Sequence, residues 1–136
     1  MFTLVIGIGI VINDLGKILI AQRAPNQIMG GLWEFPGGKQ ENQESIENTI
    51  ASEILEELGI NVKVEDKLLE FDHTYEDKNF HFVVHACNLI SGQPQPLESQ
   101  RIKWVLPSNL SNYSFPEANT KMIDALNDYL LLIKDQ

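Results

Sequence analysis

Cysteine, arginine and long apolar runs are all scarce in this chain of 136 residues. The single cysteine, Cys87, excludes an internal disulfide and suits a reducing cytoplasm, where we expect the protein to reside. No apolar run approaches the roughly 20 residues that a membrane-spanning helix needs. The apolar segment Thr3–Ile12 is too short, and it lacks the basic flank and the cleavage site typical of a signal peptide. The sequence therefore predicts neither a membrane partner nor export.

Positive charge is also sparse, because 10 lysines and arginines are outnumbered by 19 aspartates and glutamates, which gives a net charge of −9. Nucleic-acid polymers bind cationic surfaces, so this balance argues against such a partner. A small phosphorylated ligand remains compatible with it if metal ions lie between the two sets of negative charge. Arg23 and Arg101 are the two arginines of the chain, so an arginine near a candidate site carries extra weight.

Length and apolar patterning predict one α/β domain over residues 1–136. Runs of β-branched and aromatic residues predict strands at Thr3–Ile12, 17–23, 32–35, 62–75, 80–90 and 101–106. Apolar residues at helical spacing predict helices at 45–58 and 116–132. Hairpins combined with two helices favour a mixed sheet that lies between the helices.

The predicted helix at 45–58 separates acidic from apolar side chains. At about 100° per residue, one arc is apolar and the opposite arc is acidic. The apolar arc contains Ile50, Ala51, Ile54, Leu55 and Leu58. The acidic arc contains Glu53, Glu56 and Glu57, which are neighbours at i, i+3 and i+4 and therefore repel one another. Taken alone, this helix would most simply be an amphipathic helix with a solvated acidic face.

Features outside the helix favour a metal site instead. A glycine turn, Gly37 and Gly38, precedes the helix and permits close approach of the backbone to a ligand. Glu44 lies at the helix start, and Gly59 follows its predicted end, as a helix stop signal does. Carboxylates and backbone carbonyls are hard oxygen ligands, which suit Mg²⁺ or Mn²⁺. The segment therefore predicts a divalent-metal site.

The same residues resemble the signature box of the Nudix hydrolases, G-x5-E-x7-R-E-U-x-E-E-x-G-U, in which U is a bulky aliphatic residue. Eight of the nine fixed positions match: Gly38, Glu44, Glu53, Ile54, Glu56, Glu57, Gly59 and Ile60. Ser52 stands where the family has arginine. The resemblance implies an α/β/α sandwich, with a central mixed sheet between the box helix and a C-terminal helix. It also implies Mg²⁺-dependent hydrolysis, with Mn²⁺ as a substitute, of a pyrophosphate link in a nucleotide.

The resemblance implies a metal and catalytic set as well. The metal ligands would be the Gly37 carbonyl and the carboxylates of Glu53, Glu56, Glu57 and Glu98. The catalytic set would be Glu53, Glu98 and Glu44. Either Glu53 or Glu98 would be the general base, and the sequence does not choose between them, because the choice depends on which oxygen is free of metal.

Beyond the box, the chain is similar to the MutT branch of the family at 5–12, 20–23, 32–39 and 115–119. That branch hydrolyses 8-oxo-dGTP to 8-oxo-dGMP and pyrophosphate, which sanitises the nucleotide pool and limits mutation. The implied substrate-binding residues are Arg23, Glu34, Phe35, Pro36, Gly37, Lys78 and Asn119. Arg23 would hold the nucleotide by charge-assisted hydrogen bonds. Asn119 would bind the purine edge through its amide, although it could equally cap the C-terminal helix, and a solvated lysine is the simpler account of Lys78.

Several alternatives stay open. Serine cannot replace the donor fork of arginine, so Ser52 implies either a slower enzyme or a module that only binds nucleotides; the retained carboxylates favour the enzyme. A CTP or dCTP pyrophosphohydrolase is a second possibility. Hydrolases of ADP-ribose in this superfamily often carry a proline shortly after the box, and the first proline after the box here, Pro94, lies too far along the chain to match. His81, His85 and Cys87 share a strand face but fit no common zinc pattern. We expect a monomer.

Overall fold

The computed structural model describes residues 2–134, which form a seven-stranded mixed sheet and flanking helices. The strands are β1 (Thr3–Ile12), β2 (Ile18–Gln22), β3 (Trp33–Glu34), β4 (Gly37–Lys39), β5 (Asn61–Tyr75), β6 (Lys78–Ser91) and β7 (Arg101–Val105). The helices are α1 (Ile46–Leu58), α2 (Asn119–Lys134) and a 3-10 helix at Pro107–Asn112. The main strand order is β3-β2-β1-β6-β5; β4 also pairs with β1, and β7 with β2. The β1–β6 pair is parallel, and the other pairs are antiparallel.

The two long helices cover opposite faces of the sheet. Successive side chains of a strand point to opposite faces, and β1 uses both. Ile10 packs in a core cluster with Met122 of α2. Val11, the next residue, packs in a second cluster with Ile50 and Ile54 of α1. The predicted mixed sheet between a box helix and a C-terminal helix is therefore confirmed.

Helix α1 lies unusually close to β1 because glycine occupies the contact. A Cβ atom added at Gly9 would lie 2.6 Å from Ile54 Cδ1, 2.9 Å from Ile50 Cγ2 and 3.0 Å from Cys87 Sγ. Burial raises the pKa of the Cys87 thiol to about 12, so this thiol stays protonated. The close packing brings the acidic arc of α1 next to the backbone of the sheet.

Gly9→Ala is expected to lower the free energy of unfolding by about 1–3 kcal/mol, because the added methyl group overpacks a filled core. Urea unfolding of the purified variant measures the loss. The nearest atom is the Ile54 Cδ1 methyl, which Ile54→Val removes, so the double variant should recover part of the stability that the two single losses predict together. Simple additivity of the two losses would contradict this account.

The ends of α1 follow its local sequence signals. Ser45 is the N-cap, and its hydroxyl accepts a hydrogen bond from the Asn48 N–H at 3.1 Å. Gly59 ends the helix in the left-handed region with φ 70°, as predicted. The predicted apolar arc was wrong at one position, since Leu55 is 47% exposed and Thr49 is buried instead. Leu55 lies about 100° around the helix from Ile54, beyond the side that the sheet covers.

Other boundaries differ from the prediction for local reasons. The hairpin turn is shorter than expected, because Lys78 already pairs with Tyr75 as the first residue of β6. Helix α2 begins at Asn119 rather than at Pro116. Strand β4 was not predicted at all, since a three-residue segment with two glycines has little intrinsic preference for a strand. This strand positions the site described next.

Candidate functional site

Gly37 and Gly38, predicted as a turn, are the first two residues of strand β4, and this strand lies directly against α1. Gly38 pairs with Gly7 of β1, and Gly37 pairs with Ile8. A Cβ atom added at Gly38 would lie 2.5 Å from Glu53 Cδ and 2.6 Å from its Oε2. The carboxylate of Glu53 therefore rests on the backbone of Gly38, which explains physically why this position of the box holds glycine.

Glu57 is the most perturbed carboxyl group of the site. The Gly37 N–H donates a hydrogen bond to Glu57 Oε2 at 3.3 Å. Burial, followed by the charges of Glu34 and Glu53, raises the pKa of Glu57 to about 8, although the Gly37 hydrogen bond opposes the rise. In the metal-free protein Glu57 therefore carries a proton at neutral pH. The contact of Gly37 with Glu57 uses its N–H, and the predicted ligand role of the Gly37 carbonyl stays a prediction.

Glu53 lies at the centre of a wider group of carboxylates. Burial raises its pKa first, and then the charges of Glu56, Glu98, Glu41 and Glu44 raise it further. All four of these neighbouring charges are negative. Electrostatic repulsion of this kind favours either a retained proton or a bound cation.

The first of two adjoining cavities, the acidic cavity, has a volume of about 240 Å³ and lies beside these carboxylates. Its charged lining residues are Arg23, Glu34, Glu53, Glu57 and Glu98. These side chains are far apart in the chain: they come from the residue after β2, from β3, from α1 and from the loop before β7.

A second cavity, the aromatic cavity, has a volume of about 220 Å³ and shares Arg23, Glu34 and Gly37 with the acidic cavity. Its remaining lining residues are Ile6, Ile8, Phe35, Tyr75, Phe80, Phe82, Pro116, Asn119 and Met122. Phe35 stacks with Phe115 at a ring separation of 5.4 Å, which fixes one wall. An apolar, aromatic cavity joined to an acidic one offers different chemistry to the two ends of a ligand.

Arg23 stands where the two cavities meet. Its Nη1 donates to the two carboxylate oxygens of Glu34, at 3.0 Å and 3.1 Å. Its Nε donates to the Ile28 carbonyl at 2.8 Å. Burial raises the pKa of Glu34, and the Arg23 charge opposes that rise. The ion pair with Glu34 holds the guanidinium in one position, and in that position Arg23 lines both cavities.

Asn119 is buried, 8% exposed, and is the first residue of α2. Within residues 2–134 its side-chain amide makes no hydrogen bond to another residue, so no capping bond from it is observed. The buried Ala118 N–H before the helix is instead bonded to the Tyr75 hydroxyl at 3.1 Å. The amide of Asn119 thus lines the aromatic cavity without an internal partner.

Some predicted residues lie apart from both cavities. Glu56 and Lys78 are exposed and line neither cavity. Pro36 is buried and uses its carbonyl to accept the Gly9 N–H at 2.9 Å. Glu44 is half-buried and accepts a hydrogen bond from the Thr49 hydroxyl at 2.7 Å, which anchors the start of α1. Their predicted roles rest on the family pattern.

Within the described residues 2–134, the Ser52 side chain makes no hydrogen bond to a carboxylate. It is exposed, and its hydroxyl donates to the Thr49 carbonyl at 3.3 Å within the helix.

The two histidines of the predicted strand face have hydrogen-bond partners in the protein. His81 bonds Glu70 at 2.6 Å and Asp72 at 2.8 Å, and His85 bonds the Glu65 carbonyl at 2.8 Å.

Sequence reasoning missed Tyr75, Phe80 and Phe82 as lining residues of a cavity. The alternation of Phe80 and Phe82 along the predicted strand was a usable signal, because residues two apart share a face. Nothing in the sequence marked which face would meet Asn119.

The carboxylates of the site have the charge that suits a hard divalent cation, but their side chains are not already arranged around one position. Within residues 2–134, no group of three or more His, Cys, Asp and Glu side chains is arranged to hold a metal ion. The carboxyl groups of Glu53 and Glu57 nevertheless have pKa values raised by burial and by neighbouring carboxylates. A cation would relieve that repulsion, and carboxylate oxygens are the ligands that Mg²⁺ takes.

Comparison with known proteins agrees with this geometry. A family model described as the NUDIX domain matches residues 7–125, and the chain belongs to this family. It is 36% identical over 119 residues to the 8-oxo-dGTP diphosphatase of Haemophilus influenzae, with 87% of each chain covered. It is 32% identical over 117 residues to the CTP pyrophosphohydrolase of Escherichia coli, with 85% of each covered. The chain is thus a Nudix hydrolase, a family that generally needs a divalent metal.

Solved structures give the same architecture. The solution structure of the E. coli ORF135 protein superposes with a TM-score of 0.79 at 31% identity, covering 94% of this chain and 91% of that one. A MutT protein from Methanosarcina mazei superposes at 0.82 with 21% identity, covering 97% and 96%, and so supports the fold alone. The Nudix resemblance is confirmed. Among residues 2–134, no helix has the length and apolarity to cross a membrane.

Proposed function

We propose that this protein hydrolyses nucleoside triphosphates to the monophosphate and pyrophosphate in the presence of Mg²⁺, with 8-oxo-dGTP as its main substrate. One water is consumed: its oxygen bonds to the β-phosphorus, its proton passes to a general base, and the phosphoanhydride bond between the α- and β-phosphates breaks. The nucleoside monophosphate departs, and the β- and γ-phosphates are released as pyrophosphate. The observation that carries the proposal is the junction of the acidic and aromatic cavities at Arg23. The similarity to the 8-oxo-dGTP diphosphatase of Haemophilus influenzae supports 8-oxoguanine as the nucleobase of the substrate.

The metal would be held by the Gly37 carbonyl and by the carboxylates of Glu53, Glu56, Glu57 and Glu98. When bound, Mg²⁺ or its substitute Mn²⁺ neutralises phosphate charge and lowers the pKa of the attacking water. Glu57 must release its proton on binding, because a ligand carboxyl group acts as a carboxylate.

We assign the general base to Glu53 rather than to Glu98. Glu53 is half-buried over Gly38, and its pKa is raised, which moves it toward the range of an effective base. Glu98 is exposed on the loop before β7 and would serve as a metal ligand. Glu44 would support Glu53 by fixing the start of α1 through Thr49.

The nucleotide would lie across both cavities. Arg23, held by Glu34, would donate to the nucleotide at their junction. The base would enter the aromatic cavity beside Phe35, where the Asn119 amide offers one donor and one acceptor to the purine edge. Pro36 would support this wall from beneath, and Lys78 would approach from the exposed hairpin.

A substrate panel tests the proposal most directly. Pyrophosphate release is measured for 8-oxo-dGTP, dGTP, CTP and dCTP, and phosphate-ester products for ADP-ribose, each with Mg²⁺ and with EDTA. We expect kcat/KM for 8-oxo-dGTP to exceed that for dGTP by on the order of tenfold or more. A site that hydrogen-bonds a polar group of its substrate discriminates against an analogue that lacks this group. Loss of this preference in Asn119→Ala would support the role of the amide. An unchanged preference would show that Asn119 does not bind the base.

CTP or dCTP hydrolysis is the alternative activity, favoured by the 32% identity to the E. coli CTP pyrophosphohydrolase. A higher kcat/KM for CTP than for 8-oxo-dGTP in the same panel would select it. A nucleotide-binding module without catalysis is the second alternative, motivated by Ser52. Binding without turnover by the wild type, with turnover gained in Ser52→Arg, would select that one.

We further propose that the protein is a cytoplasmic monomer that binds neither nucleic-acid polymers nor membranes. The net charge of −9 and the free nucleotide substrate support this proposal. Gel filtration with light scattering tests the mass, and a gel-shift assay with duplex DNA tests polymer binding. A dimer peak or a shifted band would contradict the corresponding part.

A further inference from the structure

Tyr75 links two elements that face each other across the aromatic cavity. It is the last residue of β5, at the tip of the β5–β6 hairpin, and its ring lines the cavity. Its ring lies 5.9 Å from that of Phe80 and 4.5 Å from that of His73. Its hydroxyl accepts a hydrogen bond from the Ala118 N–H at 3.1 Å. The bond therefore joins the hairpin to the segment that leads into α2.

The Ala118 N–H needs this partner. Ala118 is 1% exposed, and the first N–H groups of a helix have no acceptor within the helix. The next two N–H groups are already bonded locally, Asn119 to the Pro116 carbonyl at 3.0 Å and Thr120 to the Glu117 carbonyl at 3.1 Å. The tyrosine hydroxyl thus provides, from a distant strand, the acceptor that a capping side chain usually provides from two or three residues away.

The residue that follows Ala118 is Asn119, whose amide lines the aromatic cavity and has no internal hydrogen bond within residues 2–134. A side chain without its own polar anchor takes its position from its backbone. The backbone on its N-terminal side is held by the bond to Tyr75. The hairpin therefore helps to hold the backbone from which the Asn119 amide projects, together with the bond from the Asn119 N–H to the Pro116 carbonyl.

We propose that the Tyr75 hydroxyl is a positioning group for Asn119, and that it sets base selectivity without taking part in the chemistry. The inference rests on the proposed function, in which Asn119 binds the base. The acidic cavity, which holds Glu53 and Glu57, does not include Tyr75. Loss of the hydroxyl should therefore weaken recognition of the base and spare hydrolysis.

Tyr75→Phe tests this because it removes the hydroxyl and keeps the ring. We expect KM for 8-oxo-dGTP to rise about threefold to tenfold, the range that loss of one hydrogen bond to a buried group produces. We expect kcat to stay within about twofold, because the groups of the acidic cavity are untouched. The ratio of kcat/KM between 8-oxo-dGTP and dGTP should fall accordingly.

Tyr129→Phe is the matched control. The Tyr129 hydroxyl also joins α2 to β5, through Asp66 at 3.3 Å, but it lines neither cavity. This variant loses the same chemical group from a contact between β5 and α2 itself. It should keep the wild-type ratio of kcat/KM between 8-oxo-dGTP and dGTP. Amide hydrogen exchange adds a readout independent of turnover: the Ala118 N–H should exchange faster in Tyr75→Phe and not in Tyr129→Phe.

The double variant Tyr75→Phe/Asn119→Ala decides between positioning and direct contact. If Tyr75 acts through Asn119, its loss should have no further effect on KM once the amide is gone. An additive effect would mean that the hydroxyl touches the nucleotide itself, and it would overturn the proposal. So would an equal fall of kcat for every substrate, or unchanged exchange at Ala118.

Failure of the proposed function has a different appearance. It would be seen as the absence of nucleotide turnover by the wild type, before any variant is compared. In that case exchange at Ala118 and equilibrium binding of 8-oxo-dGMP to the same variants still decide the role of Tyr75. Unchanged affinity in Tyr75→Phe, or affinity lost equally in Tyr129→Phe, would overturn it.

Discussion

Replacement of Glu53 by glutamine is expected to lower kcat for pyrophosphate release by about 10²–10⁴-fold, the usual contribution of a general base. Glutamine has nearly the same shape, so it can occupy the space over Gly38 that a larger side chain could not. It cannot accept the proton of the attacking water, and it removes one negative charge from the cluster around Glu56 and Glu98. The urea unfolding midpoint should be no lower than that of the wild type.

Two variants on the same assay give this prediction its controls. Glu47→Gln changes an exposed glutamate of α1 that lines neither the acidic nor the aromatic cavity, and it should retain wild-type kcat. Glu98→Gln should raise the Mg²⁺ concentration needed for half-maximal rate more than it lowers kcat at saturating metal. A larger kcat loss in Glu98→Gln than in Glu53→Gln would transfer the role of base to Glu98. Wild-type activity in Glu53→Gln would show that Glu53 is not the general base.

The box helix could be predicted from the sequence because its signals are local. Ser45 caps the first turn and Gly59 ends the last in the left-handed region, each within a few residues of the feature it determines. The spacing of Ile50, Ile54 and Leu58 fixed the buried side, and these three residues are indeed buried. The acidic side then followed from the same periodicity.

The site itself depends on contacts between segments that are distant in the chain. Glu56 and Glu57 are equivalent by spacing from Glu53, yet only Glu57 is turned toward Gly37 and lines the acidic cavity. Glu57 lies about 100° further around the helix than Glu56, beside the buried side of α1. The backbone that it meets there belongs to β4, whose pairing with β1 has no signal in its own three residues. The bond between Tyr75 and Ala118 likewise joins residues 43 positions apart.

The burial that distinguishes Glu57 from Glu56 has an energetic consequence for the metal-free protein. Glu57 has a folded pKa of about 8 against an ordinary value of 4.5. Between those pH values the folded chain binds a proton that the unfolded chain has released. Stability therefore falls as pH rises through this window, because the folded state loses its advantage in proton binding. The carboxylates of the site therefore lower the stability of the metal-free protein at alkaline pH, and a bound cation would remove this loss.

Glu57→Gln is expected to stabilise the metal-free protein at alkaline pH while abolishing hydrolysis. Glutamine is neutral and can still accept the Gly37 N–H. In EDTA, the free energy of unfolding of the variant should gain on that of the wild type by on the order of 4 kcal/mol between pH 5 and pH 9, since each pKa unit corresponds to about 1.4 kcal/mol. Urea unfolding at both pH values measures the difference.

Added Mg²⁺ provides the complementary measurement. At pH 9 it should raise the unfolding midpoint of the wild type, because a cation relieves the repulsion among Glu34, Glu53 and Glu57 and binds only the folded chain. Glu57→Gln has one charge fewer and one ligand fewer, so its midpoint should rise less. A wild type and variant whose stabilities run parallel from pH 5 to pH 9 would mean that Glu57 is not protonated in the folded protein. The excess charge would then be balanced by solvent, and the need for a cation would have to come from the substrate alone.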